Sequence, residues 1–327
     1  MIHITKYLPT GCVPIDEMLE GGIESGVVTQ VFGEAGSGKT NLCLQLAVNC
    51  IKRGFLRADD KYEELCQKVD SMGEIDALAY LYNIMTEMNI GKNYEYDADA
   101  IESHNIKNNQ NNENQNDDID KNEKSDSIDI TEKNISAEKL NILGKIKNVI
   151  YNEFVPKVVF IDTEGISAER FKQIAGENFT SIAKNIIIYE PHDLDEQYSS
   201  ILEIEKIVNL NIGLVIVDSA TSFYRYELDD EVTSIQSRRE LANQIGFLHT
   251  LSRKYGFPVL ITSQVFSDVG GTNTLKPLGG KAIEHISKTI MSFEKTGIGE
   301  RSATLIKHRS IPEGRVCRFK IVATGLE

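Results

Sequence analysis

The sequence predicts an α/β fold with a mostly parallel central sheet that is interrupted by one insertion. Three observations lead to this prediction: short apolar strands alternate with helical segments, a glycine-rich loop joins a strand to a helix, and one acidic segment breaks the alternation. Near-continuous apolar strands are typical of parallel sheets, because such strands are buried on both faces. The 327 residues suffice for one α/β domain with a large insertion.

The predicted strands and helices follow one another in a regular order. The glycine-rich loop lies between a strand over 27–32 and a helix over 39–53, which we expect Gly54 to end. Further strands are predicted over residues 158–161, 186–189, 214–217 and 259–262. They alternate with helices near residues 168–175, 193–210 and 231–255. After Gly280, three segments are typical of an antiparallel edge: residues 289–295, 302–308 and 316–322.

Residues 55–156 form an acidic insertion in a discontinuous core made of residues 1–54 and 157–327. Apolar residues recur at helical spacing in both flanks of the insertion, which predicts helices over about 61–89 and 137–152. Residues 105–127, NIKNNQNNENQNDDIDKNEKSDS, contain only two apolar residues. Such a segment cannot offset the conformational entropy lost on ordering, so we expect a disordered tip over about 92–135.

Charge is distributed unevenly along the chain. The formal net charge is −14, but residues 55–156 alone carry 22 acidic and 11 basic side chains, a net of −11. Residues 276–327 carry 10 basic and 5 acidic side chains, a net of +5. The overall acidity therefore does not exclude an anionic partner such as nucleic acid.

The composition argues against several protein classes. No apolar run approaches the roughly 18 residues that a membrane span needs, and the N-terminal residues do not have the pattern of a secretory signal. The five cysteines form no CxxC pair, so neither a disulfide framework nor a zinc ribbon is predicted. We therefore expect a cytoplasmic protein without membrane contact.

Residues 33–40, GEAGSGKT, match the phosphate-binding pattern G-x-x-x-x-G-K-[ST] in full. Backbone N–H groups of such a loop surround phosphates, Lys39 is predicted to place a positive charge at the β- and γ-phosphates, and Thr40 to bind Mg²⁺ through its hydroxyl. The predicted ligands are ATP and Mg²⁺. The residues assigned to nucleotide binding are Gly33, Glu34, Ala35, Gly36, Ser37, Gly38, Lys39 and Thr40.

Three further candidates stand at the ends of predicted strands. Asp218 ends an apolar strand, where a second carboxylate for Mg²⁺ belongs. Glu164 follows another strand and is predicted to orient or deprotonate a water, with Asp162 as a competitor for that role. Gln264 ends a third strand, where a neutral amide can sense the γ-phosphate. The loop that follows it carries Lys276 and Lys281.

Together these motifs resemble the RecA superfamily, most closely the archaeal and eukaryotic RadA-like recombinases. Within that family, the chain is similar to RadB, the short archaeal paralogue group, since the sequence starts almost directly at the core and the loop after Gln264 is short. Residues 307–314, KHRSIPEG, fit the basic signature of that group. The blocks that carry the resemblance are TGCVPIDEMLEGGIESGVVTQVFGEAGSGKT, VVFIDTEG, AERF, LVIVDSATSFYR, VLITSQV and PLGGKAIEHIS.

The resemblance implies a RecA-like P-loop NTPase core, ATP and DNA binding, and weak ATP hydrolysis. It also implies an accessory or mediator role in homologous recombination and DNA repair. The implied partners are DNA, single-stranded DNA above all, the main recombinase of the RadA type, other repair proteins and a second copy of the chain. Two alternatives stay open: a catalytic strand-exchange recombinase, and a protein-binding ATP switch that does not contact DNA. The resemblance says nothing about residues 55–156.

Lys307 and Arg309 are one residue apart on a predicted strand, so we expect both side chains on one face. RecA-like ATPases often present such a pair to ATP bound by a neighbouring subunit, which makes the two residues candidate catalytic groups. The alternative is a basic, DNA-facing edge.

Overall fold

The computed structural model describes residues 6–90, 121–224, 231–267 and 275–327. The chain forms two compact units. One, called here the core unit, comprises Met1–Gly54 and Val155–Glu327, and the other, called here the insertion unit, comprises Phe55–Phe154. Within the described ranges, no helix combines the length and the apolar character that a membrane span requires.

The core unit is built on a nine-stranded sheet. The strands of the described residues are β1 (Tyr7–Leu8), β2 (Ile23–Glu24), β3 (Val28–Gly33), β4 (Lys157–Asp162), β5 (Ile186–Tyr189), β6 (Ile212–Asp218), β7 (Val259–Ser263), β8 (Val265–Ser267), β9 (Leu275–Pro277), β10 (Thr289–Lys295), β11 (Glu300–Lys307), β12 (Val316–Val322) and β13 (Gly325–Leu326). The order in the nine-stranded sheet is β13-β12-β11-β10-β3-β7-β6-β4-β5. Strands β3, β4, β5, β6, β7 and β10 run parallel, and β11, β12 and β13 extend one edge in antiparallel order. This is the predicted α/β architecture with a mostly parallel central sheet.

Helices alternate with these strands as the sequence predicts. Short 3₁₀ turns follow two of them, at Gly176–Asn178 and Val208–Leu210. The helices are α1 (Val13–Met18), α2 (Lys39–Asp70), α3 (Glu74–Glu87), α4 (Lys121–Phe154), α5 (Ala168–Ala175), α6 (Phe179–Ala183), α7 (Leu194–Ile207), α8 (Glu231–Tyr255) and α9 (Gly280–Ile286).

The core of the sheet is apolar because its parallel strands are covered on both faces. All six residues of β3 are buried, as are the last five of β6. Helices α7 and α8 pack on one face. This packing holds the strand ends that carry the candidate site. Among the buried apolar residues of this cluster are Val28, Val159, Ile161, Ile201, Ile204, Val215, Val217, Leu241, Ile245, Leu248, Val259 and Ile261.

The helix that follows the glycine-rich loop is longer than predicted. Helix α2 begins at Lys39 and continues through Gly54 to Asp70, so the prediction that Gly54 ends it was wrong. A glycine ends a helix only where the chain turns into the left-handed region. Here good helix formers such as leucine, arginine and glutamate follow Gly54, and they extend the helix.

The insertion unit consists of the second part of α2 together with α3 and α4. The helix predicted over 61–89 is divided between Asp70 and Glu74, and the helix predicted over 137–152 begins earlier, at Lys121. The unit has apolar and aromatic contacts of its own, such as the ring of Phe55 beside that of Tyr151. Of the predicted tip over about 92–135, the part up to residue 120 lies outside the described residues.

Two further segments differ from the predictions. The loop after Gln264 forms a two-stranded ribbon, in which β8 pairs with β9 in antiparallel order. Strand β11 ends at Lys307, so Arg309 lies beyond it in an irregular segment. The expectation that Lys307 and Arg309 share one strand face was therefore wrong.

Candidate nucleotide site

The candidate site lies at the carboxyl edge of four neighbouring parallel strands. β3 ends in the glycine-rich loop, β7 leads to Gln264, β6 ends in Asp218, and β4 leads to Glu164. The sheet order places these strands side by side. Parallel strands end at the same edge, where ligands bind in open α/β sheets. The fold thus brings together residues that are far apart in sequence.

The loop formed by residues 33–40, called here the P-loop, has the backbone that phosphate binding requires. Gly36 and Gly38 have φ values of 74° and 106°, which favour glycine. At Gly33, a Cβ atom would lie 2.3 Å from the carbonyl oxygen of Phe293, so only glycine fits.

The residues of the P-loop differ in exposure. The residues exposed to solvent are Glu34, Ala35 and Gly36, and the buried ones that follow are Ser37, Gly38 and Lys39.

Lys39 lies folded against the loop that contains it. Its ammonium group donates to the carbonyl oxygens of Gly33 and Glu34, at 2.8 and 3.1 Å, and the residue is only 7% exposed. Burial lowers the pKa of Lys39, while the charges of Glu164 and Asp218 counteract this shift. A nearly buried ammonium group attracts an anion more strongly than an exposed one, because little water screens its charge.

Asp218 is the last residue of β6 and is 1% exposed. Burial raises its pKa to about 6, although hydrogen bonds from the hydroxyls of Thr262 and Thr40 counteract the shift. The Thr262 bond is 2.5 Å long. The contact between Asp218 and Thr40 brings together the two oxygen ligands that were predicted for Mg²⁺.

Asp162 and Glu164 have different surroundings. The carboxylate of Asp162 is buried and accepts hydrogen bonds from the backbone N–H groups of Glu164, Gly165 and Ile166, at 3.2, 2.9 and 2.6 Å. Asp162 therefore holds the loop in shape. Glu164 is exposed at the edge of the sheet, and its charge acts on both Lys39 and Asp218.

Gln264 contacts Glu164 although 100 positions separate them in sequence. Its amide Nε2 donates to Glu164 Oε1 at 2.9 Å, and its backbone N–H donates to Thr221 Oγ1 at 3.1 Å. This hydrogen bond links the predicted water-orienting carboxylate to the start of the β8–β9 ribbon.

The structure places Lys307 and Arg309 away from these groups. Lys307 Nζ donates to the carbonyl oxygens of Glu284 and Ser287, at 2.5 and 2.9 Å. Arg309 forms an ion pair of 2.7 Å with the buried carboxylate of Glu24. Both side chains thus have structural partners within the core unit.

Several residues of the site escaped the sequence prediction. Thr262 binds Asp218, and Arg301 and Lys295 both approach Gly36. Thr262 lies on β7, two positions before Gln264. Its position near the carboxyl end of that strand could therefore have predicted that it belongs to the site. No local pattern marks Arg301, because its contact with the P-loop depends on strand pairing.

An unpartnered polar atom tests whether the P-loop fits a nucleotide. Ser37 Oγ is buried and has no hydrogen-bond partner among the described residues. A buried hydroxyl without a partner is costly unless a ligand or water satisfies it. Together with the lysine, the glycine backbone and the Thr40–Asp218 pair, it fits a phosphate group with Mg²⁺.

Comparison with known proteins supplies a family. The sequence profile of the Rad51 family matches residues 2–59 and 151–327. The DNA repair and recombination protein RadB of Methanococcoides burtonii is 43% identical over 326 residues, covering 100% of both chains. The protein of the same name from Archaeoglobus fulgidus is 32% identical over 321 residues, covering 98% of this chain and 97% of the relative.

One solved structure agrees with these matches at the level of the fold. A crystal structure of the RadB recombinase superposes with a TM-score of 0.59 and 24% identity, and covers 98% of each chain.

Proposed function

The chain belongs to the Rad51 family and, within it, to the RadB group, and from this premise we propose that it is an ATP- and DNA-binding protein of homologous recombination and DNA repair. We assign it an accessory or mediator role, with weak ATP hydrolysis. Its partners are single-stranded DNA and the main recombinase of the RadA type.

One observation carries the nucleotide part of the proposal: Lys39, Thr40, Asp218 and Glu164 converge at a single sheet edge. Lys39 and the N–H groups of the P-loop hold the phosphates, and Thr40 and Asp218 hold Mg²⁺. When bound, Mg²⁺ would neutralise charge on the phosphate oxygens. Glu164 orients a water and accepts its proton.

Three features support DNA binding. The segment 276–327 carries a net charge of +5, and Lys276 and Lys281 are exposed near the β8–β9 ribbon. Gln264 joins that ribbon to Glu164. A nucleotide that displaces the Gln264–Glu164 contact would thereby change the ribbon, which couples ATP to DNA affinity.

The test is binding of labelled single-stranded DNA with and without ATP and Mg²⁺, at salt concentrations from about 50 to about 200 mM. We expect an affinity that rises with ATP and falls steeply with salt. Lys39→Ala is the matched variant, because it should lose the response to ATP and keep the fold. Nucleotide binding without DNA binding at any salt concentration would favour the protein-binding switch.

A second assay separates the mediator from a strand-exchange recombinase. The protein is supplied either alone or together with the main recombinase, and pairing of a labelled strand with a homologous duplex is measured. We expect an effect only in the mixture. Efficient strand exchange by the protein alone would contradict the accessory role.

A further inference from the structure

Arg301 links the P-loop to the hairpin formed by β10 and β11. Its Nε and Nη2 atoms donate hydrogen bonds of 3.0 and 2.9 Å to the carbonyl oxygen of Gly36. Nη1 of the same guanidinium donates to the carbonyl oxygens of Gly297 and Glu300, at 3.2 and 2.7 Å. One side chain therefore connects the middle of the P-loop to the turn of the hairpin.

This contact fixes the direction of one peptide in the P-loop. A planar trans peptide holds its C=O and the following N–H in opposite directions. Because Arg301 holds the carbonyl of Gly36, the N–H of Ser37 points into the loop, where it donates to Glu34 O at 3.2 Å. Glycine changes its φ and ψ angles easily, so the peptide at Gly36 depends on such a partner for its orientation.

Lys295 brings a second positive charge to the same glycine. A Cβ atom on Gly36 would lie 3.3 Å from Cε and 3.4 Å from Nζ of Lys295. Lys295 pairs with Arg301 in register across the hairpin. Burial is the main cause of the lowered pKa of Lys39, and the ammonium group of Lys295 is near enough to add to that shift. Both charges therefore act on the same region.

We propose that Arg301 is a positioning residue for the P-loop and that Lys295 is a second cation for the phosphates of the nucleotide. The inference rests on the proposed nucleotide binding and adds two residues that lie outside the P-loop motif. Arg301 keeps the Gly36–Ser37 peptide in one orientation before the nucleotide arrives, so binding does not have to order this part of the loop. Lys295 strengthens the attraction for the negative charge of the phosphates.

Two measurements test the two residues separately. The first is amide hydrogen exchange of fragments covering residues 33–40 in the nucleotide-free protein. Arg301→Gln should raise the exchange rate about tenfold, because the two hydrogen bonds of a charged donor are lost. Arg301→Lys, which keeps the charge but loses the planar fork of donors, should give an intermediate rate, and Lys295→Gln should leave exchange unchanged.

The second measurement is the affinity for fluorescent ADP and ATP. Arg301→Gln should weaken it about tenfold, with partial rescue by Arg301→Lys. Lys295→Gln should weaken it about threefold and reduce its dependence on salt. Arg318→Gln is the matched control, because Arg318 is exposed on β12, opposite Ser302; it should change neither measurement.

Each outcome judges one part of the inference. Unchanged exchange in Arg301→Gln would overturn the positioning role, whatever the nucleotide result. Unchanged affinity in Lys295→Gln, with normal affinity in the wild type, would overturn the second cation alone. A wild type that binds neither nucleotide would overturn the proposed function and the role of Lys295, while the exchange data still decide whether Arg301 holds the loop. Thermal unfolding without nucleotide confirms that each variant is folded.

Discussion

At the scale of single residues, the neighbouring carboxylates of Glu164 and Asp162 differ in their hydrogen bonds and in their exposure. Asp162 accepts three backbone hydrogen bonds and has little exposed surface, whereas Glu164 is exposed and bonded to a neutral amide. The carboxylate of Asp162 is therefore occupied by the backbone of its own loop, whereas the exposed carboxylate of Glu164 can contact a water at the edge of the sheet.

This difference predicts that substitution of Glu164 affects ATP hydrolysis, whereas substitution of Asp162 affects stability. Glu164→Gln should keep ATP affinity and thermal stability but slow hydrolysis about a hundredfold. Asp162→Ala should lower the free energy of unfolding by about 2 kcal/mol, because it leaves buried N–H groups without a partner. Phosphate release and chemical denaturation measure the two effects. Normal turnover in Glu164→Gln would move the role to another group.

The raised pKa of Asp218 predicts that the stability of the folded chain depends on pH. Its pKa is raised from the ordinary 3.8 to about 6 in the folded chain, so between these values the folded state binds its proton more tightly than the unfolded state does. The resulting destabilisation is absent below about pH 4, grows as the pH rises, and is complete above about pH 6. Without nucleotide or metal, the ionised carboxylate therefore costs stability at neutral pH.

Asp218→Asn should accordingly stabilise the metal-free protein. We expect the free energy of unfolding to rise by about 1–3 kcal/mol at pH 7.5, and by much less at pH 4. The same variant should lose the stabilisation that Mg²⁺ and ATP give the wild type. Thermal unfolding in a chelating buffer measures the first effect. An equal change at both pH values would show that the titration of Asp218 is not the cause.

At the scale of elements, helix α8 offers a matched pair of glycines. Gly246 lies inside the helix, and a Cβ atom there would meet no atom within 4 Å. Gly256 follows the last helical residue with φ +80°, and its N–H donates to Ser252 O at 2.8 Å. The first glycine has space and a helical backbone; the second has space but a left-handed backbone.

Alanine should therefore have opposite effects at the two positions. Gly246→Ala should raise the free energy of unfolding by about 0.5–1 kcal/mol, because it restricts the unfolded chain and favours the helix. Gly256→Ala should lower it by about 1–2 kcal/mol, since the left-handed conformation is strained for alanine. Urea denaturation measures both. Stabilisation at both sites would contradict the argument.

Sequence patterns predict many of the strands, helices and site residues of this chain, but not all of them. The apolar strands and helix α8 follow from composition and periodicity, and the strand-end residues Asp218, Glu164 and Gln264 follow from the rule that parallel strands share a carboxyl edge. The continuation of α2 past Gly54 does not follow, because glycine ends a helix only in some contexts. Arg301 could not be predicted either, since its partner Gly36 is 265 positions away.

At the scale of the whole molecule, the core unit and the insertion unit differ in charge. The core unit carries the candidate site and the basic segment, whereas residues 57–154 carry a net charge of −11. The Rad51 profile matches 2–59 and 151–327 and leaves most of the insertion unit unmatched. The family profile therefore covers the sheet and the P-loop without most of that unit.

Replacing residues 57–154 with a short Gly/Ser linker should consequently leave a folded, nucleotide-binding protein. The two units are each compact, and loop-closure entropy changes slowly with length, by about 0.6 kcal/mol per doubling. We expect ATP affinity within about twofold of the wild type, and DNA binding that is unchanged or stronger at low salt, where removal of an acidic segment matters most. Calorimetry and DNA titration measure these effects, with Lys39→Ala in the shortened chain as the control for nucleotide binding. An insoluble product would show that the core unit needs the insertion helices to fold, and weaker DNA binding would show that the acidic unit contributes to the DNA site.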